Sequence, residues 1–110
     1  METKQLGAVR IAREALKTII EMTALSVPGV IRLAPIGGYL SRFLDREAPY
    51  QGIALTMKEE MVSIDLYLVV QSGSNMVEVA TAVQDAVSGA IEHLVGLHVK
   101  QINVYIQDVA

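Results

Sequence analysis

The chain contains no cysteine and no tryptophan, and its aromatic residues are four tyrosines and one phenylalanine. Without cysteine, the protein cannot form disulfides, thiol nucleophiles or cysteine-based zinc and iron–sulfur sites. So few aromatic rings leave few platforms on which nucleic-acid bases could stack. The net charge is −3 and the isoelectric point is near 5.3, whereas nucleic-acid binders usually carry a basic patch. Nucleic-acid binding is therefore disfavoured.

Long apolar runs are also missing. The longest run near the middle of the chain extends only from Leu66 to Val70, whereas a membrane-spanning helix needs about 20 residues. The first residues lack the basic-then-apolar pattern of a secretory signal. We therefore expect a cytoplasmic protein that is not integral to a membrane. With 110 residues, 52% of them apolar and 19% charged, the sequence predicts one domain, 1–110, with a closed hydrophobic core.

A first amphipathic helix is predicted from Ala12 to Leu25, where apolar residues recur at helical spacing with charged residues between them. Pro28 and Gly29 end it, because neither residue continues a helix without cost. A short strand is expected from Val30 to Leu33, and another around Val9. The expected buried stripe of the helix consists of Ala12, Ala15, Leu16, Ile19, Ile20 and Thr23.

A second helix is predicted after Ser72–Asn75. Asn75 and Glu78 have the spacing of a capping box, in which the two side chains satisfy each other's main-chain donors. Gly96 is placed to end the helix in the left-handed conformation that glycine favours. The expected buried stripe consists of Met76, Val79, Ala80, Val83, Val87, Ala90, Ile91 and Leu94.

Strict alternation of apolar and polar residues predicts strands. Ile53–Met57 and Val62–Val70 alternate in this way and are separated by a short turn, which is typical of an antiparallel hairpin. A last strand is predicted from Leu97 to Gln107. Its first apolar residues are out of phase with the later ones, which indicates a bulge near Lys100 or Gln101.

These elements predict an α/β (α+β) fold. The simplest arrangement is a two-layer sandwich in which both helices pack on one face of a mixed sheet of about four to five strands. Residues 35–52 are rich in proline and glycine and are expected to form an irregular segment with a local helical turn.

The opposite face of the sheet is the most informative surface. Tyr67, Val69 and Tyr105 are large for solvent-facing positions, and tyrosine is enriched at protein interfaces. The alternatives are that scattered apolar surface is ordinary, or that the 35–50 segment covers it. The predicted protein-interaction residues are those three together with four from the irregular segment: Tyr39, Arg42, Phe43, Arg46, Tyr67, Val69 and Tyr105.

No catalytic, cofactor or metal site is predicted. His93 and His98 are the only histidines and lack the further ligands that zinc requires. Asp65 lies in an alternating strand without a partner that would make it a general base. The Ser72–Asn75 segment lacks the lysine and glycine spacing of a phosphate-binding loop, so helix capping explains it better.

Several short elements, in this order and spacing, resemble the alkaline shock protein family of bacterial cell-envelope stress proteins. They are Gly7-Ala8-Val9-Arg10-Ile11, Val27-Pro28-Gly29-Val30, Gly52-Ile53, Ile64 to Gln71 with Gly73, Glu78-Val79-Ala80, Val83-Gln84, Gly96-Leu97-His98-Val99 and Ile102 to Ile106. The resemblance covers nearly the whole chain except residues 35–50. It implies a non-enzymatic cytoplasmic protein, and in some relatives an indirect association with the membrane through an anchored partner.

The leading hypothesis is a scaffold or adaptor that self-associates, as a homo-oligomer, or docks a protein partner. Two other classes stay open. A strand and helix order of this kind also suits small-molecule-sensing regulatory domains, which would bind a metabolite at a dimer edge. RNA binding would depend on Arg10, Arg13 and Lys17, which are more typical of a solvated helix face because Glu14 and Glu21 lie among them.

Overall fold

The computed structural model describes residues 11–34 and 52–110. These residues form α1 (Arg13–Leu25), β1 (Val30–Leu33), β2 (Ile53–Lys58), β3 (Met61–Val70), α2 (Met76–Ala90), a single π-helical turn (Ile91–Val95) and β4 (His98–Val109). The bounds of α1, β1 and the hairpin strands confirm those expected from the sequence. The strand predicted around Val9 lies outside the described residues.

β3 is the central strand of a mixed sheet. One of its edges pairs antiparallel with β2 through Met61–Leu66 and with β1 through Leu68–Val70, so that β1 and β2 lie end to end along it. Its other edge pairs with β4, and this pairing is parallel. Parallel neighbours need a crossover, and α2 provides it between β3 and β4. Within residues 11–34 and 52–110 the sheet therefore has four strands, as the predicted mixed α/β sandwich requires.

The core lies between the two helices and one face of the sheet. α1 contributes Leu16, Ile20 and Ala24, all fully buried, whereas Ala12 and Ala15 are exposed although they were predicted to belong to the stripe. Their exposure shows that the buried stripe is narrower than the apolar pattern and is centred further along the helix. The sheet contributes alternate residues, and α2 closes the other side: Ile53, Leu55, Val62, Ile64, Leu66, Leu68, Val70, Val79, Val83, Val87 and Ile91.

α2 begins and ends as predicted, but its last turn differs. The Asn75 side chain accepts a hydrogen bond from the main-chain N–H of Glu78 at 3.0 Å, and Gly96 ends the helical segment with φ 87°. The π turn adds one residue to the last turn, which rotates the following side chains out of the 3.6-residue phase. Val95 therefore packs against the core, while Leu94, predicted to be buried, is 75% exposed.

Met76 is a second exception on α2. It is 44% exposed although it was predicted to belong to the buried stripe, because it is the first residue of the helix and the buried positions begin one turn later, at Val79. Val79, Val83 and Val87 are buried as predicted, whereas Ala80 and Ala90, also predicted, are only half-buried. The helix is also linked to β4, since the Gln84 side chain donates a hydrogen bond to the carbonyl of Ile102 at 3.0 Å.

β4 carries the predicted bulge and one more. Val62 pairs with Val99 and the next residue of β3 pairs with Gln101, so Lys100 is the extra residue. A second irregularity, which was not predicted, lies between Ile106 and Asp108. Between the two bulges β4 keeps regular alternation, and Ile102, Val104 and Ile106 pack toward the core. The residues between them point to the opposite face of the sheet.

Candidate interaction surface on the outer face of the sheet

The face of the sheet turned away from the helices is here called the outer face. It carries Ser63, Asp65 and Tyr67 from β3, and Asn103 and Tyr105 from β4. The parallel register places Asp65 beside Asn103 and Tyr67 beside Tyr105. Because the side chains of one strand face alternate at two-residue intervals, each strand presents the same order of a polar residue and then a tyrosine.

Tyr67 and Tyr105 form a stacked pair. Their ring centroids are 4.9 Å apart and their planes differ by 15°. Tyr105 is 43% exposed, and Tyr67 is half-buried beside it. Aromatic pairs at this separation attract each other beyond the burial of their area, so the two rings hold one another in place on an open surface. The outer face therefore presents a preformed aromatic platform.

Two residues before the tyrosines on each strand, Asp65 and Asn103 form a polar pair. The Asn103 side-chain amide donates a hydrogen bond to Oδ1 of Asp65 at 2.9 Å. The bond joins β3 to β4 through side chains as well as through the main chain. It also gives the Asp65 carboxylate a structural partner.

The hydroxyl of Tyr67 responds to these neighbours. Burial raises the pKa of Tyr67 above the ordinary value of 10.0, and the negative charge of Asp65 and the nearby Tyr105 raise it further. The raised pKa keeps the Tyr67 hydroxyl protonated, and so able to donate a hydrogen bond, across the physiological range. Tyr67 thus offers an uncharged, amphipathic side chain.

Val69 is placed differently from the two tyrosines. It was predicted to face solvent, but it is only 1% exposed and does not belong to the core cluster between the helices and the sheet. Arg32 in β1 and Asp108 in β4 flank it in register. Val69 is thus not part of the accessible outer face. Tyr39, Arg42, Phe43 and Arg46 lie outside the described residues.

The residues considered as metal ligands or as an RNA-binding surface do not form a site in the described ranges. His93 and His98 are both exposed, and no three acidic, histidine or cysteine side chains in the described ranges are grouped as metal ligands. Of the three cations considered for RNA binding, Arg10 lies outside the described residues. Arg13 donates a hydrogen bond from Nη2 to the carbonyl of Leu55 in β2, so its guanidinium is directed at the sheet.

The sequence contained one unused signal for this surface. Asp65-Leu66-Tyr67 and Asn103-Val104-Tyr105 repeat the same polar, apolar and tyrosine order, and these triplets pair in parallel register. Sequence reasoning placed the tyrosines on one face but did not predict that they stack or that Asp65 and Asn103 are bonded. Those contacts depend on β3 and β4 being direct neighbours, which local patterns do not determine.

The fold and this surface together define a two-layer α/β protein with an open, tyrosine-bearing sheet face. The chain belongs to the alkaline shock protein 23 family, described as having a cell envelope-related function, whose model matches residues 1–110. This confirms the resemblance found in the sequence. None of the helices in the described ranges is long and apolar enough to cross a membrane.

Two relatives come from Bacillus subtilis (strain 168). The chain is 28% identical to the uncharacterized protein YloU over 106 residues, which cover 94% of this chain and 88% of YloU. It is 27% identical to the uncharacterized protein YqhY over 108 residues, which cover 96% of this chain and 78% of YqhY. These relatives support the family membership, and neither name carries a function.

Solved structures of MamM-CTD share the fold. One, spanning residues 215–293 of that protein, matches with a TM-score of 0.61 at 20% identity and covers 88% of this chain and 99% of that chain. A manganese form of a MamM CTD variant matches with a TM-score of 0.60, also at 20% identity, over 88% of this chain and 99% of that one. At this identity the likeness shows a common fold and nothing further.

Proposed function

We propose that the protein is a non-enzymatic scaffold or adaptor that acts at the cytoplasmic side of the cell envelope by self-association, or by docking a protein partner, through the outer face of the sheet. The observation that carries the proposal is the stacked pair of Tyr67 and Tyr105 on an open sheet surface. The family description, a cell envelope-related function, supports the setting.

The chemistry of the pair favours a protein surface as its occupant. Tyrosine supplies a large apolar ring with a hydroxyl at its tip, and it loses little conformational freedom on binding. Stacking has already restricted the two rings, which lowers the entropic cost of covering them. Asp65, Asn103 and Ser63 lie along the same face and provide polar groups around the platform. A central aromatic anchor with a polar surround is the usual composition of a protein interface.

The irregular segment is proposed to contribute to the same surface. Ala34 and Gly52, which precede and follow residues 35–51, both lie against the main chain of Tyr67. The Ala34 N–H donates to the Tyr67 carbonyl at 2.7 Å. The two described residues that flank this part of the sequence therefore both lie at the main chain of Tyr67. We retain four residues of the segment as proposed interaction residues: Tyr39, Arg42, Phe43 and Arg46.

The proposal involves no catalysis, cofactor or metal. Asp65 is bonded to Asn103, and the two histidines are exposed on separate elements. The metal forms described for MamM CTD belong to that protein, and no comparable grouping of ligands occurs in the part of this chain that the structure describes. Any membrane association is proposed to be indirect, through a membrane-anchored partner. We also propose that residues 1–110 fold as one domain.

Because the chain has no cysteine, a single introduced thiol can report which face meets another copy. Thr56→Cys places the thiol at an exposed position on the outer face, and Thr81→Cys places it at an exposed position on α2. We expect a thiol-reactive crosslinker to join copies of Thr56→Cys covalently and to leave copies of Thr81→Cys without a covalent link at the same concentration, although both variants should self-associate. Equal crosslinking of both variants would contradict self-association through this face.

A further inference from the structure

A hollow lies on the outer face at the end nearest the β2–β3 hairpin, away from the tyrosine pair. Its volume is about 230 Å³. It is lined by Thr56 and Lys58 of β2, Glu59 of the turn, Met61 and Ser63 of β3, and Lys100 of β4. Ser63 and Tyr67 are four positions apart on β3, which separates the hollow from the tyrosine pair by about 13 Å.

The bulge in β4 is what brings Lys100 into the hollow. In regular alternation with Ile102 and Val104, Lys100 would point toward the core. Because Lys100 is the extra residue of the bulge, Val99 packs against the core, while Lys100 lines this hollow and also a second hollow between β4 and α2 that contains Asp85. Bulges commonly re-aim one side chain in this way and are frequent beside functional sites. The local break in the sheet thus places a second lysine opposite Lys58.

The composition of the hollow suits an anion. Neither Lys58 nor Lys100 forms an ion pair or a hydrogen bond with another residue of the described ranges. The hydroxyls of Thr56 and Ser63 lie opposite each other in register between the lysines and can donate hydrogen bonds. Glu59 is the one carboxylate among the lining residues, and exposed His98 lies beside Met61 in register. The lysines outnumber the carboxylate, so the hollow carries a positive charge.

We propose that this hollow binds a phosphate group, held by Lys58 and Lys100 and by the hydroxyls of Thr56 and Ser63, with Glu59 limiting the affinity. Charge-assisted hydrogen bonds from two ammonium groups supply most of the attraction. The site is open to water, and the expected dissociation constant for inorganic phosphate is therefore about millimolar. This site lies on the same face as the proposed interface but does not include the tyrosine pair, and its existence does not depend on self-association.

The test is a titration of the full chain, labelled with nitrogen-15, with inorganic phosphate in low-salt buffer, followed by nuclear magnetic resonance. We expect saturable shifts of the amide signals of Thr56, Ser63 and Gln101. Lys58→Gln/Lys100→Gln should weaken binding about a hundredfold, because each lost charge-assisted hydrogen bond weakens binding about tenfold. Lys17→Gln, which removes a lysine from α1, should leave the dissociation constant unchanged.

Glu59→Gln should change the affinity for phosphate in the opposite direction. It removes the opposing carboxylate while it keeps the size of the side chain, so phosphate should bind about threefold more tightly. Unsaturable shifts, or equal weakening by the Lys17 and the Lys58/Lys100 variants, would overturn the proposal. An unchanged dissociation constant in Glu59→Gln would overturn the assigned role of Glu59.

A second arm distinguishes the source of the phosphate. Sedimentation with phosphatidylcholine vesicles, with and without phosphatidylglycerol, reports whether a lipid headgroup occupies the hollow. Binding to the anionic vesicles that Lys58→Gln/Lys100→Gln abolishes would assign the hollow to a lipid phosphate. Saturable binding of inorganic phosphate without vesicle binding would assign it to a soluble phosphate compound. Tyr67→Ser/Tyr105→Ser should leave phosphate binding unchanged, which separates this site from the proposed self-association.

Discussion

Gly52 lies directly against the main-chain carbonyl of Tyr67. A Cβ atom at this position would be 2.8 Å from the carbonyl oxygen of Tyr67 and 3.0 Å from the main-chain N and O of Ala34. Glycine also permits the φ of +79° found here. β1 and β2 both pair with the same edge of β3. The close approach of Gly52 to Tyr67 allows β2 to begin on that edge where β1 ends.

Gly52→Ala should therefore destabilise the protein strongly. The left-handed backbone costs a residue with a Cβ about 1–2 kcal/mol, and overlap with rigid main-chain atoms adds about 1–3 kcal/mol. The matched control is Gly73→Ala, which has φ +91° but, among the described residues, no atom within 4 Å of its added Cβ. Urea unfolding should show the larger loss for Gly52→Ala, and similar losses would contradict the close packing.

Asn75 should contribute to stability as the cap of α2. Its side chain satisfies the main-chain N–H of Glu78, which no helical carbonyl can reach. We expect Asn75→Ala to lower the free energy of unfolding by about 1 kcal/mol. Ser72→Ala, at an exposed position in the same turn, should change it little. Denaturant unfolding of the two variants measures the difference, and an equal effect would argue against the cap.

Glu59 is expected to be a strained residue of the hairpin turn. Its φ is +61°, in the left-handed region that glycine adopts without cost, and it is the one such non-glycine residue in the described ranges. Glu59→Gly should raise the free energy of unfolding by about 0.5–1 kcal/mol. Glu60→Gly should lower it, because the neighbouring residue has no strain to relieve and glycine loses more entropy on folding. Thermal unfolding of both variants decides between these signs.

Stability should fall at alkaline pH partly through Tyr67. Its pKa is raised in the folded protein, so folding favours the neutral hydroxyl. That contribution is fully present below the ordinary pKa of 10.0 and is lost as the pH rises through the raised value. Tyr67→Phe removes the ionisable hydroxyl. Between about pH 9 and pH 11, the midpoint of urea unfolding should therefore fall less in this variant than in the native chain.

Asp65→Asn tests the cause of that shift. Burial is the largest contribution to the raised pKa of Tyr67, and the charge of Asp65 is the next. Removing the charge should lower the pKa of Tyr67 without restoring the ordinary value. The pKa of Tyr67 is measured as the midpoint of the change in tyrosinate absorbance that is lost in Tyr67→Phe. A midpoint that Asp65→Asn does not move would show that Asp65 does not act on Tyr67.

The sequence predicted features that local pattern determines. The alternation of apolar residues identified β2, β3 and their core-facing sides, and the phase break before Ile102 revealed the bulge at Lys100. The second bulge gave no such signal. Beyond Ile106 the residues Gln107 and Asp108 are polar, so a slip in register changes no apolar pattern.

Other features depended on contacts between distant residues. Leu94 was expected to be buried because a constant helical period was assumed, and the π turn before Gly96 changed that period. Val69 was predicted to be exposed and is buried, because burial on the outer face depends on the assembled structure and not on the alternation within β3. The stacking of Tyr67 on Tyr105 likewise requires the parallel register of β3 and β4, which pattern within one strand cannot give.

The central claim is most directly tested by the solution mass of the protein, measured by light scattering over a concentration series. The native chain should form an oligomer that grows in population with concentration, and Tyr67→Ser/Tyr105→Ser should remain monomeric and folded by circular dichroism. Met22→Ser/Val77→Ser, which removes exposed apolar residues from the helices instead, should behave like the native chain. A native chain that stays monomeric at every concentration, or oligomers that persist in the tyrosine variant, would contradict self-association through the outer face.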